Sequence, residues 1–276
     1  LNELLGNLKQ VSGLQVTSGF GGHSQIAIFN RAQGTEFAVK PDGSNSALVA
    51  AKTAATQLFM PRAAIIDALA LIDPIEQADS FVFPAEAASY ATSGKDSGSA
   101  EFLFQQAERA AELLTEAGFA RRINVRVLFD SSSSYGQLEF GLLARYAKVA
   151  GINLENVSSA KPAEVLASGA WEVFLTDRLS MSQDLTALAL ASGSVTSFNE
   201  PEVASIVAKI ESSAAPTEAQ WKALDKALVK NRFGLPLVQL PNLIVNSSKL
   251  KNFKPSLATQ QVTWGYWNWL VDAPAN

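Results

Sequence analysis

The sequence predicts a mixed α/β protein built around a β-α-β-α-β core. The strand pattern INVRVLFD at 123–130 is followed by an amphipathic helix pattern that closes at Gly151. A second strand pattern (INLENVS), a short helix pattern and a third strand pattern (WEVFLTD) follow directly. Because strands and helices alternate, we expect parallel pairing of the three strands with right-handed crossovers.

Before this core, the sequence predicts an opening helix, two strands and three further helices. The strands LQVTS and QIAIFN flank GFGGHS (19–24), which is typical of a glycine turn. A polar loop is expected over 31–46. Helices are predicted at 1–8, 47–58, 62–71 and 100–117, and Gly118 is placed to end the last one in a left-handed conformation.

After the core, two helices and two short strands are predicted. The helices span 201–212 and 218–230, and Thr217 with Gln220 matches a capping box. The strand patterns are GLPLVQL and NLIVNS. An aromatic segment follows, TWGYWNWL, which holds three of the five tryptophans in the chain. We interpret it as a strand whose rings alternate between two faces and pack at a domain junction, with sugar stacking as the alternative.

Composition excludes several classes of function. The chain has 276 residues, a net charge of −4 and no basic cluster, so we expect no nucleic-acid partner. It has no cysteine and one histidine, which removes disulfides, thiolate chemistry and cysteine metal sites. No run of 18 apolar residues predicts a membrane-spanning helix. The chain starts at Leu1 without a signal peptide, so we interpret it as a fragment.

Signals for catalysis and cofactor binding are weak. GFGGHS lacks the third glycine of a dinucleotide fingerprint and leads into a strand, and no phosphate-binding loop or nucleophile elbow occurs. A catalytic triad would have to use His23, which we interpret as a solvated loop residue. We therefore predict no enzymatic activity and no cofactor. Carboxylates near predicted strand ends remain candidates for a ligand crevice: Asp130, Glu172, Asp177 and Asp184.

Several stretches, in order, resemble the family 5 extracellular solute-binding proteins of bacterial ABC transporters, the oligopeptide- and dipeptide-binding type. They are HSQIAIFN, PRAAIIDALALIDP, QQAERAAELLTEAGF, the core from INVRVLFD to WEVFL, FNEPEVASIVAKI, and the segment from WKALDKALVK to NFKPS. In the second stretch, Arg62 and Asp73 are in register with the family pattern. Each motif is degenerate, but their shared order makes the resemblance fairly specific.

This resemblance implies one lobe of a type II periplasmic-binding-protein-like fold. It places 1–30 as a flanking segment of lobe I, 31–255 as the ligand-closing lobe and 256–276 as a return toward lobe I. The expected partners are a peptide or other small solute, the N-terminal lobe of the same protein and an ABC permease. The expected location is extracytoplasmic, at the cell envelope, with a lipid anchor in the full-length protein.

The sequence departs from the family pattern where peptide-binding members carry a Trp and an Asp. The Asp position falls near Ser180 or Met181 in LTDRLSMSQD, and the helix aspartates are replaced by Ala204 and Ala208. These differences leave two functions open. One is solute binding for an importer, and the other is a non-transporting envelope lipoprotein that uses the scaffold for regulation or partner binding.

We expect the ligand-binding residues to lie at the ends of the adjacent parallel strands. Arg178 is included because a guanidinium on a cleft loop can grip a carboxylate or phosphate. The predicted set is Phe129, Asp130, Ser131, Ser132, Tyr135, Asp177, Arg178, Ser180, Met181 and Gln183.

Overall fold

The structure, a computed structural model, describes residues 7–8, 10–69, 76–83, 95–119, 122–179, 196–252 and 270–271. Within these ranges, the side chains of 17–23, 76–77, 178–179, 241–243 and 271 are not described. Of the predicted opening helix at 1–8, residues 7–8 are helical and 1–6 lie outside the described residues. The same holds for 263–269 of the aromatic segment.

A six-stranded mixed sheet organises the described part of the chain. Its strands are β1 (Leu14–Phe29), β2 (Glu76–Gln77), β3 (Ile123–Leu128), β4 (Ile152–Asn156), β5 (Val173–Leu179) and β6 (Gly234–Ser247). Their order across the sheet is β2-β6-β1-β5-β3-β4. A separate pair joins β7 (Leu250–Lys251) to β8 (Leu270–Val271).

Seven helices are described around the sheet. They are α1 (Ser46–Phe59), α2 (Arg62–Leu69), α3 (Ala107–Glu116), α4 (Ser134–Ala147), α5 (Pro162–Ser168), α6 (Pro201–Glu211) and α7 (Glu218–Lys230), and a 3-10 turn covers Ser99–Phe102. None of these helices has the length and apolar character that crossing a membrane requires.

The predicted β-α-β-α-β core is confirmed. Strand β3 pairs in parallel with β4 and, at its carboxyl end, with β5. Helix α4 connects β3 to β4 and α5 connects β4 to β5. The rest of the sheet is antiparallel, since β1 pairs antiparallel with both β5 and β6. The fold is therefore mixed α/β, as predicted.

Two hydrophobic cores lie on opposite faces of the sheet. Alternate residues of β1 divide between them, because side chains of a strand point alternately to either face. Ala27 and Phe29 pack into the core formed with α1, α2, α3 and α4. Ile26 and Ile28 pack into the core formed with α6 and α7.

The predicted glycine turn at GFGGHS is wrong. Leu14–Phe29 is one strand of 16 residues, and GLPLVQL and NLIVNS likewise merge into β6. The register between β1 and β6 shifts between Phe20 and His23, so Gly21 and Gly22 form an irregularity within the ladder. The glycines therefore accommodate a bulge instead of reversing the chain.

The start predicted for the helix at 100–117, which is α3 in the structure, is also wrong. The helix begins at Ala107, seven residues after the expected Ala100. The backbone of the intervening segment is bound by other elements: Gln106 N donates to Leu58 O at 2.7 Å, and Leu103 O accepts from Ala63 N at 3.0 Å. Tertiary hydrogen bonds at Leu103 and Gln106 thus separate the 3-10 turn Ser99–Phe102 from the helix, where the apolar pattern predicted one continuous helix.

The predicted caps are confirmed. Gly118 has a φ of 77° and Gly151 a φ of 73°, both left-handed. At the start of α7, Thr217 N donates to Gln220 Oε1 at 2.8 Å, and Gln220 N donates to Thr217 Oγ1 at 3.3 Å. This reciprocal pair is the predicted capping box.

Arg62 connects several elements from a fully buried position. Its guanidinium donates to the carbonyls of Ser99 at 2.7 Å and Ala78 at 2.5 Å, and it pairs with Asp79 at 3.0 Å. Its Nε donates to Leu237 O at 3.3 Å. The residue that the family resemblance aligned is therefore a structural link between α2, β6 and the segments around 78 and 99.

Candidate functional site

A cavity of about 260 Å³ opens where the parallel strands β3 and β5 end. The two strands pair only at Val127–Val173 and Leu128–Phe174, and the chain leaves β3 toward α4 directly afterwards. This divergence leaves a crevice at the carboxyl ends of the strands, the usual position of ligands in open α/β sheets. The lining residues are Gln25, Asp130, Ser133, Gly136, Pro162, Phe174, Leu175, Thr176 and Asp177.

The loop between β3 and α4 forms one wall of the cavity. The Asp130 carboxylate accepts hydrogen bonds from Ser132 Oγ at 2.7 Å and Ser132 N at 2.8 Å, which lower the pKa of this carboxyl. Ser133 caps α4 by accepting from Gly136 N at 3.2 Å. Ser131 is held by backbone bonding to Ser159 at 3.0 Å. The serine run therefore fixes the loop and presents Asp130 to the cavity as a carboxylate.

The opposite wall is the end of β5, where Asp177 is oriented by its neighbour on β1. Asp177 and Gln25 face each other in register, and Gln25 Nε2 donates to Asp177 Oδ1. Gln25 is buried. This hydrogen bond from a buried amide restricts the rotamer of the Asp177 side chain.

Tyr135 and Glu139 lie on the first two turns of α4, beside this wall. Burial, followed by the field of Asp177, raises the pKa of the half-buried Tyr135 hydroxyl. The same two causes, in the same order, raise the pKa of Glu139 well above its ordinary value. Glu139 is fully buried, and neither of its carboxyl oxygens has a hydrogen-bond partner among the described residues.

Phe129 is not among the residues that line the cavity. Its ring is buried in the core and packs on Phe140 with a centroid distance of 5.8 Å. A Cβ placed on Gly136 would approach Phe129 Cδ2 to 2.7 Å. The absence of a side chain at Gly136 therefore lets the helix start close to this ring.

The structure brings together part of the residue set predicted from the sequence. Asp130 and Asp177 line the cavity, Ser131 and Ser132 shape its loop, and Tyr135 stands beside it. The backbone of Arg178 pairs with Ser24, and its side chain is not described. Ser180, Met181 and Gln183 lie outside the described residues, as does Asp184. The ligand role of the whole set stays a prediction.

Glu172, another strand-end carboxylate singled out by the sequence, is not among the residues that line this cavity. Its carboxylate is buried and accepts from the backbone amide and guanidinium of Arg126, all at 2.8 Å. With its oxygens engaged in this way, Glu172 serves as a structural anchor between β3 and the start of β5.

Sequence reasoning missed Gln25 and Glu139. Gln25 lies in a strand that the sequence placed near a turn, and only the register with β5 reveals its contact with Asp177. Glu139 stands in an amphipathic helix, where a glutamate is usually solvated. No group of three or more potential metal-ligating side chains occurs within the described ranges.

Comparison with known proteins shows the fold. No protein-family model matches the sequence, and no curated protein matches it. Among solved structures, the periplasmic EDTA-binding protein EppA aligns with a TM-score of 0.75 at 16% identity, covering 99% of this chain and 53% of that one. The oligopeptide-binding protein AppA from Bacillus subtilis, in complex with a nonapeptide, aligns with a TM-score of 0.68 at 10% identity, covering 99% and 55%.

A nickel ABC transporter structure from Bacillus halodurans also aligns, with a TM-score of 0.65 at 17% identity, covering 91% of this chain and 53% of that one. The chain thus has the fold of one half of an ABC-transporter solute-binding protein and spans about half the length of these neighbours. The resemblance predicted from the sequence, to the family 5 solute-binding proteins, is confirmed at the level of the fold.

Proposed function

We propose that the chain is the ligand-closing lobe of an extracytoplasmic solute-binding protein that serves an ABC importer. The observation that supports this most is the cavity at the carboxyl ends of β3 and β5, which Asp130 and Asp177 both line. A solute held there would be covered by a second lobe, since hinged binding proteins enclose the ligand between lobes. The ligand is a peptide or another small solute.

The proposed division of the chain follows the pairing of β1. Leu14–Phe20 pairs with Pro241–Ser247 of β6, and pairing with β5 begins at His23. The first half of β1 and the second half of β6 thus form a ribbon that extends beyond the part of the sheet shared with β5. We propose that this ribbon leads toward lobe I. Residues 1–30 would then be a flanking segment of lobe I, 31–255 the closing lobe, and 256–276 the return toward lobe I.

The remaining parts of the proposal follow from this role. The protein would be non-enzymatic, lie outside the cytoplasm at the cell envelope with a lipid anchor, and deliver its solute to an ABC permease. Ligand contacts from this lobe would come from Asp130, Ser131, Ser132, Tyr135, Asp177 and Arg178, with Ser180, Met181 and Gln183 from the following segment. Phe129 would support them from the core.

Small-angle X-ray scattering of the protein at its natural length tests this function. The protein is titrated with libraries of peptides, sugars and metal chelates, and its radius of gyration is followed. We expect at least one solute class to reduce the radius saturably, because closure accompanies binding. No change across all classes would argue against the proposal.

A second function is favoured by the absence of family anchors. Ala204 and Ala208 are exposed on α6 where the resemblance expects aspartates. A non-transporting envelope lipoprotein that binds a protein partner would not need them. Genes for a permease and an ATPase beside the gene for this chain would exclude this alternative, and their absence would favour it.

A further inference from the structure

Phe104 is the most exposed of the large hydrophobic side chains that the structure describes, at 66%. It follows the 3-10 turn, whose Phe102 packs against both hydrophobic cores, whereas Phe104 belongs to neither core. The backbone beside it is fixed, because Gln106 N donates to Leu58 O at 2.7 Å. An ordered segment therefore holds this ring out in solvent.

The segment that carries Phe104 lies at the cavity edge of the sheet. Helix α3 and strand β3 share one core and a short connection, so they run in opposite directions. The end of α3 lies beside the start of β3: Gly151 O accepts from Ile123 N at 3.1 Å, and a Cβ on Gly151 would meet Leu114 Cδ1 at 3.4 Å. Phe104, before the other end of α3, is therefore near the level where β3 ends and the cavity opens.

The ribbon formed by β1 and β6 leaves the sheet at this same edge. On β1, Gln25 is level with Asp177 of the cavity, and Leu14–Phe20 continue beyond β5 in pairing with β6. The chain spans about half the length of its structural neighbours. In the proposed function, lobe I is reached through this ribbon, so it would face the edge at which Phe104 is exposed.

Two acidic side chains flank Phe104 in the sequence. Glu101 and Glu108 are exposed, and Arg109 is already engaged in ion pairs within α3. Aromatic side chains are frequent anchors of protein interfaces, and complementary charge at the rim of an interface selects the partner. The surface that covers Phe104 is therefore expected to be an apolar pocket bordered by Lys or Arg.

We propose that lobe I covers Phe104 when the two lobes close, and that this contact outside the solute site stabilises the closed form. The inference rests on the proposed function and adds a residue that controls closure. Phe104 is not among the residues that line the cavity. It would therefore change the apparent affinity for a solute only through the equilibrium between the open and closed forms.

Photo-crosslinking of the natural-length protein tests the contact directly. The photoreactive residue p-benzoylphenylalanine is placed at position 104, the protein is irradiated without added solute, and cross-linked peptides are identified by mass spectrometry. Because crosslinks accumulate each time the closed form is visited, we expect products that join position 104 to lobe I. The same label in place of Val149, which is 52% exposed beyond the end of α4 that lies away from the cavity, should give no such product. Crosslinks between two copies, or none to lobe I, would overturn the proposal.

A substitution measures the effect of the ring on closure. The peptide, sugar and metal-chelate libraries of the scattering experiment are applied to Phe104→Ser, with Val149→Ser as the matched control. Because the ring is buried only in the closed form, Phe104→Ser should need about tenfold more solute for half-maximal closure, whereas Val149→Ser should match wild type. Neither variant should lower the thermal unfolding midpoint measured without solute. Unchanged closure in Phe104→Ser, or a lowered midpoint in that variant alone, would contradict the proposed role.

The two proposals fail in different experiments. Closure by a solute with no crosslink from position 104 to lobe I would refute this contact and retain the solute-binding function. A crosslink to lobe I without closure by any solute would support the contact and argue against the importer role.

Discussion

Glu172 accepts three hydrogen bonds from Arg126, one from its backbone amide and two from its guanidinium, each 2.8 Å long. The Glu172 side chain is 3% exposed and that of Arg126 is 27% exposed. The pair fixes the entry of β5 against β3, and the carboxyl ends of these two strands form the cavity.

Replacing Glu172 with Ala should lower the free energy of unfolding by about 1.5–3 kcal/mol, because charge-assisted hydrogen bonds at a buried acceptor are lost. Urea unfolding followed by circular dichroism measures the effect. Glu164→Ala is the matched control: its ion pair with Lys161 is exposed, so we expect a change within about 0.5 kcal/mol. Equal effects in the two variants would remove the structural role assigned to Glu172.

Replacing each of two glycines of α4 with Ala should change the stability of the protein in opposite directions. A Cβ on Gly136 meets the buried Phe129 ring, so Gly136→Ala should destabilise by about 1–3 kcal/mol. At Gly141 a Cβ meets nothing within 4 Å, so Gly141→Ala should stabilise by about 0.5–1 kcal/mol through helix propensity. Thermal unfolding of both variants measures this, and a stabilising Gly136→Ala would contradict the close approach of α4 to Phe129.

Arg62→Lys should destabilise the protein by about 3 kcal/mol or more. The single ammonium of Lys cannot reproduce the guanidinium hydrogen bonds to Ser99, Ala78 and Asp79. The acceptors that lose their donor are in the protein interior, so the loss is costly. Chemical denaturation gives the magnitude. The exposed Arg109 offers the comparison, since Arg109→Lys keeps a solvated charge beside Glu112 and Glu116 and should stay within about 0.5 kcal/mol. Similar losses at both positions would show that burial is not the cause.

Glu139 should make stability depend on pH. Its pKa in the folded protein is raised by burial, so the folded state binds more protons than the unfolded state once the pH exceeds the unfolded pKa of about 4.3. The contribution of this residue is fully present below that pH and is lost as the pH rises toward the folded pKa. Unfolding free energies of wild type and Glu139→Gln, measured from pH 4 to 8, should diverge in favour of the variant as the pH increases. Parallel curves would contradict the raised pKa.

The sequence was sufficient where local chemistry determines structure. The alternation around INVRVLFD predicted the parallel core, and Thr217 with Gln220 predicted a cap that forms as expected. Prediction from the sequence failed where residues far apart in the chain determine the local structure. Gly21 and Gly22 suggest a turn, yet ladder pairing with β6 carries the strand past them. The contact between Gln25 and Asp177 joins positions 152 residues apart, so no local pattern reveals it.

Hydrogen exchange on the natural-length protein, with and without a saturating solute, tests the central claim most directly. If this lobe supplies one wall of the solute site, amide protection should increase at 129–136 and 173–179, the segments that border the cavity. The surface of α6 and α7, on the opposite face of the sheet, should remain unchanged. A solute that binds and closes the protein while leaving 129–136 and 173–179 unprotected would contradict the account.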